Sequence, residues 1–250
     1  MNVIGRVQAA ISKRSSSPTT FKGARREIRE IARAVENHSL WFTSREERKD
    51  GPSLAWFGAL GVGERGADGL QLYRYRFCPA ATRSLPFRID YVAGLRLHAV
   101  ARCLQRNGTL AWDEVKPILA DAAAYGVLMA EVAKVAGLSQ IAVHAGDGLF
   151  VGSIDVDGDP HLETYLKLDE ALPSRWAPVR MAQLISMVHS GLGREDVYAV
   201  ASYNSSDAWE GAVSQLSACL GSFKWLRGEY DPKLDPLSAA WKDYRSRLVD

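Results

Sequence analysis

Gln140-Ile-Ala-Val-His144, Leu149-Phe-Val-Gly-Ser-Ile-Asp-Val156 and His161-Leu-Glu-Thr-Tyr-Leu-Lys-Leu168 are three short runs rich in apolar, β-branched and aromatic residues. Ala145-Gly-Asp-Gly148 joins the first to the second, and Asp157-Gly-Asp-Pro160 joins the second to the third. Asp and Gly tolerate the backbone conformations of a tight reversal, and Pro ends the pairing before it. The stretch therefore reads as an antiparallel meander. Its alternation changes phase near Gly152-Ser153, between Leu149/Val151 and Ile154/Val156. One unpaired residue restores the phase, so a bulge is expected there.

Immediately upstream, Trp112 to Ala136 is apolar around most of a helical circumference, and Gly137 follows it. A helix of that kind is expected to be long, central and buried against the meander. Pro117 and Gly126 are its weak points, where it would start late or kink. Further upstream, Leu70 to Cys78 and Leu85 to Tyr91 alternate as strands, and Val92 to Gln105 reads as a helix with a Leu97, Val100, Ala101, Leu104 stripe. Residues 44–53 are charged and end in Asp-Gly-Pro-Ser, which reads as a loop. A helix is expected from about Phe21 to His38, with Ala24, Ile28, Ile31, Ala32 and Val35 on one face.

Downstream, the pattern predicts a helix near Pro178 to His189, a strand Val197 to Tyr203 and a helix Asp207 to Leu220 with a Ser205/Ser206 cap. A last helix is expected over Leu237 to Leu248. Helices and strands intermix without βαβ alternation, so the fold class is α+β, with a mainly antiparallel sheet packed by several helices. Residues 1–20, with their Ser-rich 12–20 stretch, read as a flexible leader that also has the composition of a secretion signal. Residues 21–250 read as one domain, with a candidate sub-boundary near 108.

The chain has 250 residues, 47% hydrophobic, 24% charged and 9% aromatic. That balance excludes long disorder, collagen-like repeats and a disulfide scaffold. Its three cysteines, Cys78, Cys103 and Cys219, are odd in number and form no C-x-x-C pair. This argues for a reducing, cytoplasmic setting and against a zinc cluster. Asp121, Glu131 and Lys134 interrupt the most apolar stretch, Ile118 to Leu138, so no membrane span is expected.

Three motifs are weak. Gly61-Val-Gly63-Glu-Arg-Gly66 satisfies G-x-G-x-x-G, but Ala67-Asp68-Gly69 follows where a dinucleotide site needs a helix. No G-K-[ST] occurs, and the segment reads as a glycine loop. Asp155-Val-Asp157-Gly158-Asp159 resembles the start of a calcium loop, but the sixth position is Pro160 and the twelfth is Leu166. Cys78, His144 and Asp147 or Asp157 follow an order that some thiol hydrolases use, although Cys78 precedes Pro79 rather than opening a helix. No cofactor and no metal are expected.

Charge is the sharper signal. The net charge of +2 hides +5 in residues 1–50, +5 in 51–110, −8 in 111–170 and zero in 171–250. Lys22, Arg26, Arg29 and Arg33 are spaced to form one stripe at about 100° per residue, opposite the Ile28, Ile31, Val35 face. In the Leu70 to Cys78 strand, Tyr73, Tyr75 and Phe77 share one side while Arg74 and Arg76 share the other, and Arg88 alternates with Phe87 and Ile89. The expectation is aromatics inward and arginines outward. Arginine presents a planar donor fork suited to phosphate or carboxylate.

The sequence thus favours an accessory or regulatory protein that binds a polyanion, either nucleic acid or an acidic protein surface. The binding residues would be Lys22, Arg26, Arg29, Arg33, Arg74, Arg76 and Arg88. A hydrolase with a dispersed site, built on Cys/His, is the alternative; a protein-binding effector is the third reading.

Overall fold

The computed structural model describes residues 9, 26, 29–31, 33, 34, 39–47, 54–64, 69–77, 87–109, 111–167, 194–202, 207–221 and 227. Their elements follow in chain order. Ser39–Glu47 (β1), Leu54–Glu64 (β2), Gly69–Phe77 (β3) and Phe87–Arg96 (β4) come first. Leu97–Asn107 (α1) and Trp112–Ala136 (α2) follow. Gln140–Ala145 (β5), Gly148–Ile154 (β6) and Pro160–Lys167 (β7) precede Arg194–Ser202 (α3) and Asp207–Gly221 (α4). Positions 26, 29–31, 33 and 34 are helical, as is Ala9, the one described residue of the expected leader.

The seven strands form one sheet in the order β1-β2-β3-β4-β7-β6-β5. It is two antiparallel meanders, β1 to β4 and β5 to β7, joined where β4 and β7 run parallel. That junction is short, with Gly94 beside His161 and Leu95 beside Leu162. The fold is α+β with a mixed, mostly antiparallel sheet.

The meander expected over 140–168 is present, and its register shifts between Val151 and Gly152, where the alternation changes phase. The turn before β7 is closed by hydrogen bonds between Asp155 and Asp159 and from Gly158 N–H to the Asp155 carbonyl. Val156, placed in the strand by its alternation, lies in this turn instead and is fully exposed.

α2 spans the expected residues and runs through Pro117, whose missing N–H falls near its first turns. Asp113 and Glu114 in its first turn complement the positive end of the helix dipole. Gly126 lets it approach the sheet: a Cβ there would stand 2.9 Å from Val92 Cγ1. α2 touches β1 to β5 and both α3 and α4. Its residues 119–129 are buried, in one core with Phe150, Tyr165 and Trp209.

One buried charge fastens these layers. The Asp121 carboxylate accepts the Tyr198 hydroxyl of α3 at 2.7 Å and the Gly146 N–H of the β5–β6 turn at 3.0 Å. It is 3% exposed, and a buried carboxylate requires such partners.

Four expectations need correction. Val92 to Arg96 is strand, not helix, because these residues pair with β3 and β7 and Val92 packs on α2. The buried positions of α1 are consequently Ala99 and Cys103, while Leu97 is 55% exposed. The 44–53 segment is not all loop, since β1 reaches Glu47; as the outermost strand of the sheet it tolerates charge. Gly61 and Gly63 lie inside β2 rather than in a loop, under the rings of Tyr75 and Tyr73. Val197 to Ser202 is helical: Val197, Tyr198 and Ala201 are its buried side, and Trp41 meets Tyr198 edge-on at 4.9 Å.

The helix near 178–189, the Ser205/Ser206 cap and the helix over 237–248 lie outside the described residues.

Candidate functional site

Alternation and register decide where the arginines fall. Leu60, Arg74 and Asp90 are partners across β2, β3 and β4, and Gly58, Arg76 and Arg88 form the next rank on the same face. Tyr73, Tyr75, Ile89 and Tyr91 occupy the opposite face, with Tyr73 and Tyr91 edge-on at 6.1 Å. α2 lies on the arginine side, because Trp41, in one rank with Leu60 and Arg74, meets Tyr198, whose hydroxyl donates to Asp121 of that helix.

Arg74 and Arg76 do not stand free in solvent. Their side chains are 16% and 21% exposed. Both reach one oxygen, Oδ2 of Asp90: Arg74 Nε donates at 3.0 Å and Arg76 Nη2 at 2.8 Å. The Arg74 guanidinium is held below its ordinary pKa, first by burial and then by the charge of Arg76, while Asp90 and Glu131 oppose that shift. Glu131 also accepts the Trp209 indole N–H of α4 at 2.6 Å.

The expectation that aromatics face inward and arginines outward is met only in part. Tyr75 is 2% exposed, yet the arginine face is also the face that α2 covers. Arg88, near the β4 end of that face, is exposed.

The helical arginines behave differently. Arg26, Arg29 and Arg33 are exposed, while Ile31 among them is fully buried. The described helical positions thus turn an apolar side chain inward and basic side chains to solvent. Arg26 is paired to Glu30 at 3.0 Å, an exposed i,i+4 contact of small energetic weight. Lys22 lies outside the described residues. The sheet register gathers Arg74, Arg76 and Arg88 into one set and leaves the helical stripe as a second.

Asp90 and Glu131 were missed in the sequence reading, although Asp90 pairs two sheet arginines and Glu131 holds Trp209. Asp90 was legible from alternation, since it shares the phase of Arg88 between Ile89 and Tyr91. Glu131 was not, because only the packing of α2 brings it to Arg74.

The thiol and histidine candidates have structural surroundings. Cys103 is buried, and burial pushes its thiol up to about 11, away from the thiolate that catalysis needs. Cys219 is exposed, and Cys78 lies outside the described residues. His144 packs edge-on against Tyr125 at 5.2 Å. Asp155 is engaged in its own turn, accepting the N–H groups of Asp157 and Asp159 and pairing with His161 Nε2 at 2.8 Å. Among the described residues, no group of three or more His, Cys, Asp or Glu side chains could hold a metal ion. Among them too, no helix is long and apolar enough to cross a membrane. No protein-family model, curated protein or solved structure matches the chain.

Proposed function

We propose that this chain is an accessory protein that binds a polyanion, with nucleic acid as its partner, through its basic amino-terminal half. The observation that carries the reading is the exposed Arg26, Arg29, Arg33 stripe on a helix whose Ile31 is fully buried. Burial fixes the helix's rotation, so the positive side is held outward rather than free to turn away. Arg88 adds an exposed guanidinium on the sheet. Arg74 and Arg76 contribute field more than contact, because Asp90 already engages them.

Fluorescence anisotropy with a labelled oligonucleotide tests this. Each phosphate neutralised steepens the salt dependence by about 0.7 in log K per log salt for a single strand. The triple change Arg26→Glu, Arg29→Glu, Arg33→Glu is expected to abolish binding at physiological salt and leave the circular-dichroism spectrum intact. The unmodified protein showing no salt-sensitive binding would sink the reading. Binding to polyglutamate but not to the oligonucleotide would move the partner to an acidic protein surface.

A further inference from the structure

We propose that Asn107 is a site of spontaneous covalent modification, an Asn-Gly deamidation site that the closed end of α1 holds latent. This chemistry is independent of the polyanion reading.

The end of α1 creates the reactive pair. Gly108 stops the helix at φ 64°, a left-handed conformation, and a Cβ there would meet nothing within 4 Å. Glycine is therefore set by the backbone angle and not by crowding. The same choice leaves the Gly108 nitrogen unshielded by a side chain, next to the Asn107 amide. In such a pair the Gly108 nitrogen attacks Cγ of Asn107. A C–N bond forms, the Cγ–Nδ2 bond breaks, and ammonia leaves with the proton of the Gly108 N–H. Water then opens the cyclic imide at either carbonyl and leaves aspartate or isoaspartate at 107. No oxidant, reductant or further reactant enters.

The closed helix end engages both reacting groups. Asn107 Nδ2 donates to the Cys103 carbonyl at 2.8 Å and lies 3.7 Å from Cys103 Sγ. The Gly108 N–H donates to the Gln105 carbonyl and the Thr109 N–H to the Leu104 carbonyl, each at 3.3 Å. These two bonds are the crossed pair that closes many helices on a glycine. Ring closure needs the Asn107 side chain turned off Cys103 and the Gly108 N–H released from Gln105. The reaction therefore waits on opening of the last turn. α1 packs on β7 with Ala99 and Cys103 buried, so opening is an excursion from the resting state. Modification is self-sustaining. A carboxylate at 107 has no N–H to give the Cys103 carbonyl, and it puts negative charge at the negative end of the helix dipole.

The test uses the full chain in mildly alkaline buffer and follows the Asn107 peptide by mass spectrometry. The protein unfolded in concentrated urea is expected to deamidate at Asn107 at least about tenfold faster than the folded protein. Gln105→Gly, at an exposed position of the last turn, is expected to speed the folded reaction about threefold by lowering helix propensity there. Low urea that leaves the protein folded is expected to leave the folded rate nearly unchanged, because one turn exposes little surface. Asn107→Asp carries the charge of one product, and is expected to lose hydrogen-exchange protection at the Thr109 N–H while the protein stays folded. Equal rates in folded and unfolded protein overturn the proposal, as does the absence of product from the unfolded chain. A folded rate that climbs with low urea as steeply as global unfolding would place the reaction in the unfolded chain and overturn the control by the helix end. Unchanged Thr109 protection in Asn107→Asp overturns the self-sustaining step.

Discussion

The two meanders share a hydrogen-bonding plan and differ in what fills it. In β5 to β7, Phe150 and Tyr165 are cross-strand partners with rings 5.0 Å apart, both fully buried. The Tyr165 hydroxyl donates back to the Ala145 carbonyl at 3.1 Å. In β1 to β4, corresponding ranks hold Arg74 opposite Asp90 and Arg76 opposite Arg88. Burial holds the first meander, and its strength changes little with ions. Charge contributes to the second, so salt is expected to alter its stability.

The largest expected effect comes from asking how each meander accommodates an added methyl group. A Cβ at Gly152 in β6 would stand 1.8 Å from the His161 carbonyl oxygen, which is backbone of the neighbouring strand. A Cβ at Gly61 in β2 would stand 2.6 Å from Cε2 of Tyr75, a ring at the end of a side chain. Overpacking a core costs about 1–3 kcal/mol. Gly61→Ala is expected inside that range, and Gly152→Ala at or above its upper end, because strand pairing must yield. Urea unfolding measures both. Removing the ring with Tyr75→Leu is expected to recover part of the Gly61→Ala loss in a double-mutant cycle. Equal costs at the two glycines would erase the distinction between a backbone-locked and a side-chain-cushioned meander.

A middle-sized effect is expected at Asp90. Asp90→Asn keeps the shape and removes the charge that both Arg74 and Arg76 share. Hydrogen bonds to charged groups contribute about 1.5–3 kcal/mol, and the 32% exposure of Asp90 puts the loss near the lower figure. The remaining arginine repulsion is screened by salt, so the deficit is expected to shrink as sodium chloride rises. Phe150→Leu in the other meander is expected to show a deficit independent of salt. A salt-insensitive Asp90→Asn deficit would mean that charge does not hold the amino-terminal meander.

This same contrast governs what could be read in advance. The β5 to β7 meander was legible because its alternation, its turn residues and its phase change all followed from local backbone geometry. β1 and β2 were not. Arg45, Glu46 and Glu47 look like loop, and Gly58, Gly61 and Gly63 lower strand propensity. Their pairing was set by non-local partners, with Gly61 and Gly63 making room for Tyr75 and Tyr73. The Val197 to Ser202 helix was misread for a related reason: Val and Tyr favour strands, while packing against α2 selects a helix. Of the candidate site, the exposed helical arginines followed from 3.6-residue periodicity. The half-buried state of Arg74 and Arg76 did not, because alternation separates two faces without saying which one a helix covers.

The smallest expected effect lies at the tip of the β6–β7 hairpin, where the carboxyl-terminal meander carries a charge contact of its own. Asp155 Oδ1 accepts the N–H groups of Asp157 at 2.9 Å and Asp159 at 2.8 Å, and Oδ2 pairs with His161 Nε2. The Asp159 N–H first, and the His161 hydrogen bond next, lower the Asp155 pKa below its ordinary value. A carboxyl lowered in the folded state contributes stability that is complete above its unfolded pKa, about 3.9, and is lost as pH falls through the folded value. The group is exposed, so global unfolding should barely register the change, whereas the turn itself should. In an NMR titration from about pH 6 to about pH 2, the Asp157 and Asp159 amide shifts are expected to move together with a midpoint below about 3.9. Asp155→Asn is expected to keep the turn and remove that transition. A midpoint at or above the unfolded value would show that these hydrogen bonds do not hold the tip. The turn geometry would then rest on Gly158, whose φ of 86° suits glycine, and on Pro160.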